Sequence, residues 1–92
     1  MIDIYTTAKM LVEAIKAMPA GYMSGLLRLQ TIAVEEALEN HLSIALVARC
    51  FSLLEGIYSY PMYRTTETLE AAELFREVIE QKNALLLASC PQ

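Results

Sequence analysis

The chain has 92 residues and a formal net charge of -4, and 55% of its residues are hydrophobic. Its seven basic residues stand singly along the sequence, which argues against a nucleic-acid surface or attraction to an anionic membrane. The length predicts one domain covering residues 1–92. Because a domain this small leaves much of its surface exposed, we expect some of the hydrophobic side chains to face another chain.

Neither a membrane span nor secretion is predicted. The most apolar window, residues 42–58, contains Arg49 and Glu55 and is too short and too charged to cross a bilayer. The first ten residues lack the basic and then apolar pattern of a signal peptide. Cys50 and Cys90 lack the spacing of a disulfide framework or a metal site. Since free thiols fit a reducing compartment, we expect a cytoplasmic protein.

The first two predicted helices are separated by Pro19. The first helix covers residues 3–18, with apolar residues at helical spacing and Asp3 as its N-cap. Proline disfavours helical backbone at the preceding residue, so the helix should end there. The second helix covers residues 22–39 and has a broad apolar face. We expect Asn40 to adopt the left-handed conformation that ends many helices.

The third predicted helix, residues 41–59, is the most apolar of the four. Its polar positions leave only a narrow strip for water, which predicts that it either forms the centre of the fold or faces a partner. The fourth helix begins after Thr65 or Thr66, since either residue can cap it. Glu67 suits the positive end of its dipole. No strand pattern is present, so we predict an all-α fold: a small four-helix bundle or stacked helical hairpins.

One local spacing in the fourth helix resembles a known repeat family. Ala71 and Phe75 have the Ala-x-x-x-Phe spacing of the second helix of a tetratricopeptide repeat, but the pattern does not recur after about 34 residues as in that family. The resemblance implies no more than the stacking of helical hairpins.

Tyrosine and methionine side chains are concentrated in two of the helix connections. Segment 56–68 contains three tyrosines and a methionine, and a further Tyr-Met pair follows Gly21. In an up-and-down bundle the first and third connections lie at the same end, and aromatic residues and methionine are enriched in interface centres. We therefore predict either a cap on the core or a partner-binding end. Its residues are Tyr22, Met23, Tyr58, Tyr60, Met62 and Tyr63.

A second candidate site is the acidic end of the second helix. Glu35, Glu36 and Glu39 lie close to His41, and carboxylates near a histidine can bind a metal. The di-iron bundle pattern places a glutamate three residues before the histidine, where this chain has Leu38. We therefore predict neither a metal nor another cofactor. Because acids oppose the dipole at a helix C-terminus, we expect the three glutamates to contact a basic partner surface.

Catalytic motifs are not recognisable in the sequence. His41 is the one histidine, and Cys50 lies too far along the same helix to form a nucleophilic pair with it. The leading interpretation is a non-catalytic protein-binding module, such as a small chaperone, adaptor or inhibitor, that binds a partner protein or forms a dimer. One alternative is a helical enzyme with a site between subunits that uses His41, Arg49 and the glutamates of the second helix. Another is a regulator of transcription or signalling that acts through protein binding.

Overall fold

Four α-helices and one short 3-10 turn make up the chain in the computed structural model, which describes residues 3–19 and 25–89, with side chains up to residue 81. The helices are α1 (Ile4–Lys16), α2 (Gly25–Glu39), α3 (Ser43–Ser59) and α4 (Thr66–Ser89), and the 3-10 turn Pro61–Tyr63 precedes α4. The described residues contain no strand, so the predicted all-α fold with four packed helices is confirmed. None of these helices is long and apolar enough to cross a membrane within the described part.

Local capping chemistry fixes the first residues of α1 and α4. The Asp3 carboxylate accepts a hydrogen bond from the Thr6 amide at 2.8 Å, which lowers the pKa of this carboxyl group. At α4 the Thr68 amide donates to the Thr65 hydroxyl at 3.1 Å. Both side chains satisfy amides that have no partner inside the helix. The predicted cap at Asp3 is therefore confirmed, and of the two candidates for α4 it is Thr65 that accepts the capping hydrogen bond.

The connection between α2 and α3 differs by one residue from the prediction. The left-handed residue is His41, with φ of 53°, whereas Asn40 still bonds through its amide to the Glu36 carbonyl. The amides of His41 and Leu42 turn back to the carbonyls of Leu38 and Ala37. This is the Schellman arrangement, in which the left-handed residue follows the helix cap. Helix α3 consequently begins at Ser43 rather than at residue 41.

The central helix of the fold is α1. It packs against α4 and α2 and makes a smaller contact with α3, and its Leu11 and Ile15 are fully buried. Helices α2 and α3 form an antiparallel hairpin in which the Arg49 guanidinium donates to the Ala33 carbonyl at 2.9 Å. Helix α3 therefore lies at the side of the molecule. Of the two predicted positions for this helix, the centre of the fold is wrong.

The turn between α3 and α4 is tied to the core by Thr68. Its buried hydroxyl donates to the Tyr63 carbonyl at 2.7 Å and accepts from the Thr65 amide at 2.8 Å. Tyr63 is also buried. Since buried polar groups are costly unless paired, these bonds hold the backbone of residues 60–65 in one conformation and so position the exposed side chains of the turn.

Candidate protein-binding surface

Helix α3 presents apolar side chains on two opposite sides. The inner side contributes Leu46, Cys50 and Leu53 to the core. The outer side carries Ile44, which is 86% exposed, together with Phe51, which is partly exposed. Because side chains seven residues apart share a helix face, this outer series continues to Tyr58, next to the turn.

Five large side chains between 37% and 53% exposed follow one another from α3 through the turn to α4. We call this set the aromatic surface; it consists of Phe51, Tyr58, Tyr60, Met62 and Leu69. The structure thus brings together three residues of the predicted partner-binding end. The backbone that carries Tyr60 and Met62 is a turn, because Pro61–Tyr63 forms a 3-10 helix directly after α3.

Two parts of the predicted aromatic end differ from this surface. Tyr63 is only 6% exposed, and its ring meets the Tyr60 ring edge to face with centroids 5.7 Å apart. Tyr63 is thus a core residue that supports Tyr60 from the inside, which corrects its assignment to an exposed partner surface. Tyr22 and Met23 lie outside the described residues.

A groove of about 490 Å³ runs between α3 and α4 beside the aromatic surface. The rings of Phe51 on α3 and Phe75 on α4 pack edge to face, with their centroids 5.5 Å apart. Every residue of the groove lining is solvent exposed, so it is an open channel rather than an enclosed ligand cavity. The lining consists of Tyr58, Leu69, Glu73, Arg76, Glu77 and Glu80.

The electrostatics of the groove are dominated by carboxylates. The Arg76 guanidinium is hydrogen-bonded to Tyr58, and this bond, together with the nearby Glu80 and Glu73, raises the pKa of Arg76. Three carboxylates against one guanidinium leave the lining with a net negative charge. The groove therefore combines an apolar part, Tyr58 and Leu69, with an acidic edge on α4.

The predicted acidic site on α2 lies on a different side of the molecule. Glu35 forms an ion pair with Lys16 of α1, with Oε2 and Nζ 2.7 Å apart, whereas Glu36 and Glu39 are exposed to solvent. The contact with α1 shows that Glu35 faces the central helix. Of the three predicted glutamates, Glu36 and Glu39 are the ones available for a basic partner.

The side chains proposed for an alternative enzymatic site do not form one cluster, and two of them are engaged in other contacts. His41 is exposed and packs its ring against Tyr5, and Arg49 is bonded to the α2 backbone. Burial raises the pKa of the Cys50 thiol to about 12, so little reactive thiolate forms near neutral pH. Within residues 3–19 and 25–81, no group of three or more potential ligands is placed to hold a metal ion.

Sequence reasoning missed several residues of the groove. Leu69, Glu73, Glu77 and Glu80 line the groove but belong to neither of the two candidate sites predicted from the sequence. The available signal was the spacing of Phe51 and Tyr58, which places both side chains on one face of α3. The sequence carried no signal for the gap between α3 and α4, because that gap depends on how both helices pack against α1.

Comparison with known proteins gives no further information about this chain. The chain matches no protein-family model, no curated protein and no solved structure.

Proposed function

We propose that this chain is a non-catalytic protein-binding module, of the kind that serves as a small chaperone, adaptor or inhibitor, and that a partner protein binds at the aromatic surface. The observation that carries the proposal is the run of Phe51, Tyr58, Tyr60, Met62 and Leu69, all substantially exposed on adjoining elements. Contiguous exposed apolar side chains often mark protein interaction sites, and aromatic residues and methionine are enriched at interface centres.

The turn supports this role because its backbone is already ordered. Thr68 ties the turn to α4 through hydrogen bonds to Tyr63 and Thr65, and Tyr63 packs beneath Tyr60. A binding surface that is held in place before association avoids part of the entropic cost of ordering loops and side chains. Tyr60 and Met62 therefore extend from a backbone that is already ordered before a partner binds.

The size of the aromatic surface defines how much affinity it can supply. Its five side chains expose about 400 Å² in all, judged from the area that a large side chain can bury, which corresponds to about 10 kcal/mol of gross burial energy. Association itself costs about 4–15 kcal/mol. The aromatic surface therefore needs further favourable contacts around it for a stable complex.

The proposal is tested by identifying the proteins that copurify with the tagged chain from its host. The variant Tyr60→Ala/Met62→Ala removes two exposed side chains of the aromatic surface, and Leu26→Ala/Leu29→Ala removes two exposed leucines on α2 as a matched control. We expect mass spectrometry to find a partner that the control variant retains and the turn variant loses. Circular dichroism should show unchanged helicity in both variants.

Three outcomes would contradict the proposal. Equal retention of the partner by both variants would place binding elsewhere, and unfolding of the turn variant would show that Tyr60 and Met62 stabilise the core. Light scattering provides the third, because a dimer that depends on Tyr60 and Met62 would show that a second copy of the chain occupies this surface instead of a partner protein.

A further inference from the structure

We infer that the groove between α3 and α4 receives a basic amphipathic helix of the partner, an inference that rests on the proposed function. The apolar side of such a helix would lie on Tyr58 and Leu69, and its lysine or arginine side chains would meet the carboxylates on α4. The groove adjoins the aromatic surface and shares Tyr58 and Leu69 with it.

The charge of the occupant follows from the charge of the groove. The only salt bridge among the described side chains joins Lys16 and Glu35 on the other side of the molecule, so Glu73, Glu77 and Glu80 are not neutralised by one. Arg76 is hydrogen-bonded to Tyr58 and offsets only part of their charge. An acidic segment would be repelled along this edge, whereas a basic segment is attracted to it and oriented by it.

The helical form of the occupant follows from the spacing of the carboxylates. Glu73, Glu77 and Glu80 are separated by four and then three residues and extend over about 10 Å of α4 at the rise of an α-helix. A helix lying alongside presents basic side chains at the same intervals of three and four residues. An extended peptide that binds by adding a strand needs an open sheet edge, and the described residues contain no sheet.

A second copy of this chain does not fit these requirements. The chain is acidic, with a net charge of -4, and its seven basic residues are distributed singly along the sequence. In α1, Lys9 and Lys16 share the exposed side with Glu13, so this helix offers no uniformly basic face. The groove therefore points to a partner of opposite charge.

The probe is a fluorescent synthetic helix with leucines along one face and lysines on both flanks. Its binding to the full chain is measured by fluorescence anisotropy at low and at moderate salt, because exposed charge pairs weaken as salt increases. One comparison peptide replaces every lysine with glutamate, and another keeps the composition but scatters the leucines. We expect the first probe to bind at least tenfold more tightly than either comparison peptide.

Matched protein variants locate the binding. Glu73→Gln/Glu77→Gln/Glu80→Gln removes the carboxylates of the groove, and Glu13→Gln/Glu67→Gln/Glu70→Gln removes the same charge from the face between α1 and α4. We expect about a tenfold loss of affinity for the groove variant, from three exposed charge pairs, and less than about a twofold loss for the control. Amide NMR spectra of the wild-type chain should show the largest shifts at Tyr58, Leu69 and residues 73–80.

Each alternative result overturns the inference. Equal losses in the two glutamine variants, or equal binding of the peptide with scattered leucines, would show general attraction to an acidic protein. A greater loss with the control variant would place the probe at the face between α1 and α4, near Glu13, Glu67 and Glu70. If copurification of the natural partner depends on Tyr60 and Met62 but the probe does not bind the groove, this inference fails while the proposed function stands.

Discussion

Helices α1 and α3 differ in how far their apolar side chains are exposed to water. Helix α1 encloses Leu11 and Ile15 completely, whereas α3, the more apolar helix of the two, leaves Ile44 almost fully exposed and Phe51 partly so. The difference comes from their neighbours. Helix α1 packs against α2 and α4 and touches α3. Helix α3 is covered mainly by α2 on one side, and the groove lies beside its Phe51–Phe75 contact with α4.

The contrast between α1 and α3 shows where apolar side chains lie when a small core cannot enclose all of them. A chain of this length has too little volume to enclose four helices on all sides, and even the central helix keeps one polar side in water. The remaining exposed apolar side chains form two main groups. One lies on the outer side of α3 and in the adjoining turn, which is where we propose that a partner binds, and the other lies on α2 at Leu26, Leu29 and Ile32.

The largest expected effect separates the two helices directly. Leu11→Ala creates a cavity in the middle of the core and should lower the free energy of unfolding by about 3 kcal/mol, as buried leucine truncations typically do. Ile44→Ala removes a side chain that is already in water and should change that free energy by less than about 0.5 kcal/mol. Urea denaturation followed by circular dichroism measures both values.

A similar loss of stability in these two variants would contradict the contrast between α1 and α3. It would mean that the outer side of α3 is covered in solution. Repeating the measurement over a range of protein concentrations would then identify a second copy as the cover, because the stability of a dimer depends on its concentration.

The second prediction concerns the inner side of α3, which should exclude water as completely as the core side of α1 does. Burial raises the pKa of the Cys50 thiol from its ordinary value of 9.0 to about 12. The unfolded chain therefore loses this proton first, and stability is lost as pH rises from about 9 towards 12. At pH 10 the free energy of unfolding should be lower by about 1 kcal/mol than at pH 8 because of this one group.

Cys50→Ala is the matched control for this pH dependence. It should be less stable at neutral pH, since it leaves a small cavity, but its stability should decline less steeply above pH 9. Equal slopes for the two proteins would show that water reaches the thiol. The inner and outer sides of α3 would then differ less in their exposure to water than the structure indicates.

A structural feature could be predicted from the sequence when it depends on residues close together in the chain, and could not when it depends on how distant helices pack. The helices and the caps at Asp3 and Thr65 were predictable because they arise from side chains and amides a few residues apart. The central position of α1 was not, because periodicity shows which face of a helix is apolar but not which helices will cover it. In the site, Tyr58, Tyr60 and Met62 could be recognised by composition, whereas the acidic edge of the groove depends on the packing of α3 and α4.

The third prediction uses Phe51, which lies at the boundary between core and surface. Its ring packs against Phe75 at 5.5 Å while part of its surface remains exposed. Phe51→Ala should therefore lower the free energy of unfolding by about 1 kcal/mol from the aromatic pair, in addition to the loss of the buried part of the ring, and should also weaken binding of the partner. Phe51→Leu, which keeps an apolar side chain, should recover part of both losses. A loss of stability as large as that of Leu11→Ala would place Phe51 in the core.

The smallest expected effect comes from the polar side of α1. Lys16 and Glu35 form a short ion pair, but both side chains remain substantially exposed, so water and salt screen their attraction. Lys16→Met should therefore change the free energy of unfolding by no more than about 0.5 kcal/mol. Lys9→Met is the control, since Lys9 lies on the same helix and has no salt bridge among the described residues.

The salt dependence of the difference between these two variants decides what joins α1 to α2. If the ion pair contributes, Lys16→Met should be the less stable variant at low salt, and the difference should disappear at high salt. A difference of more than about 1 kcal/mol that persists at high salt would mean that the Lys16–Glu35 contact carries part of the packing of α1. The enclosure of α1 would then depend on a polar contact that α3 lacks, and not on its apolar neighbours alone.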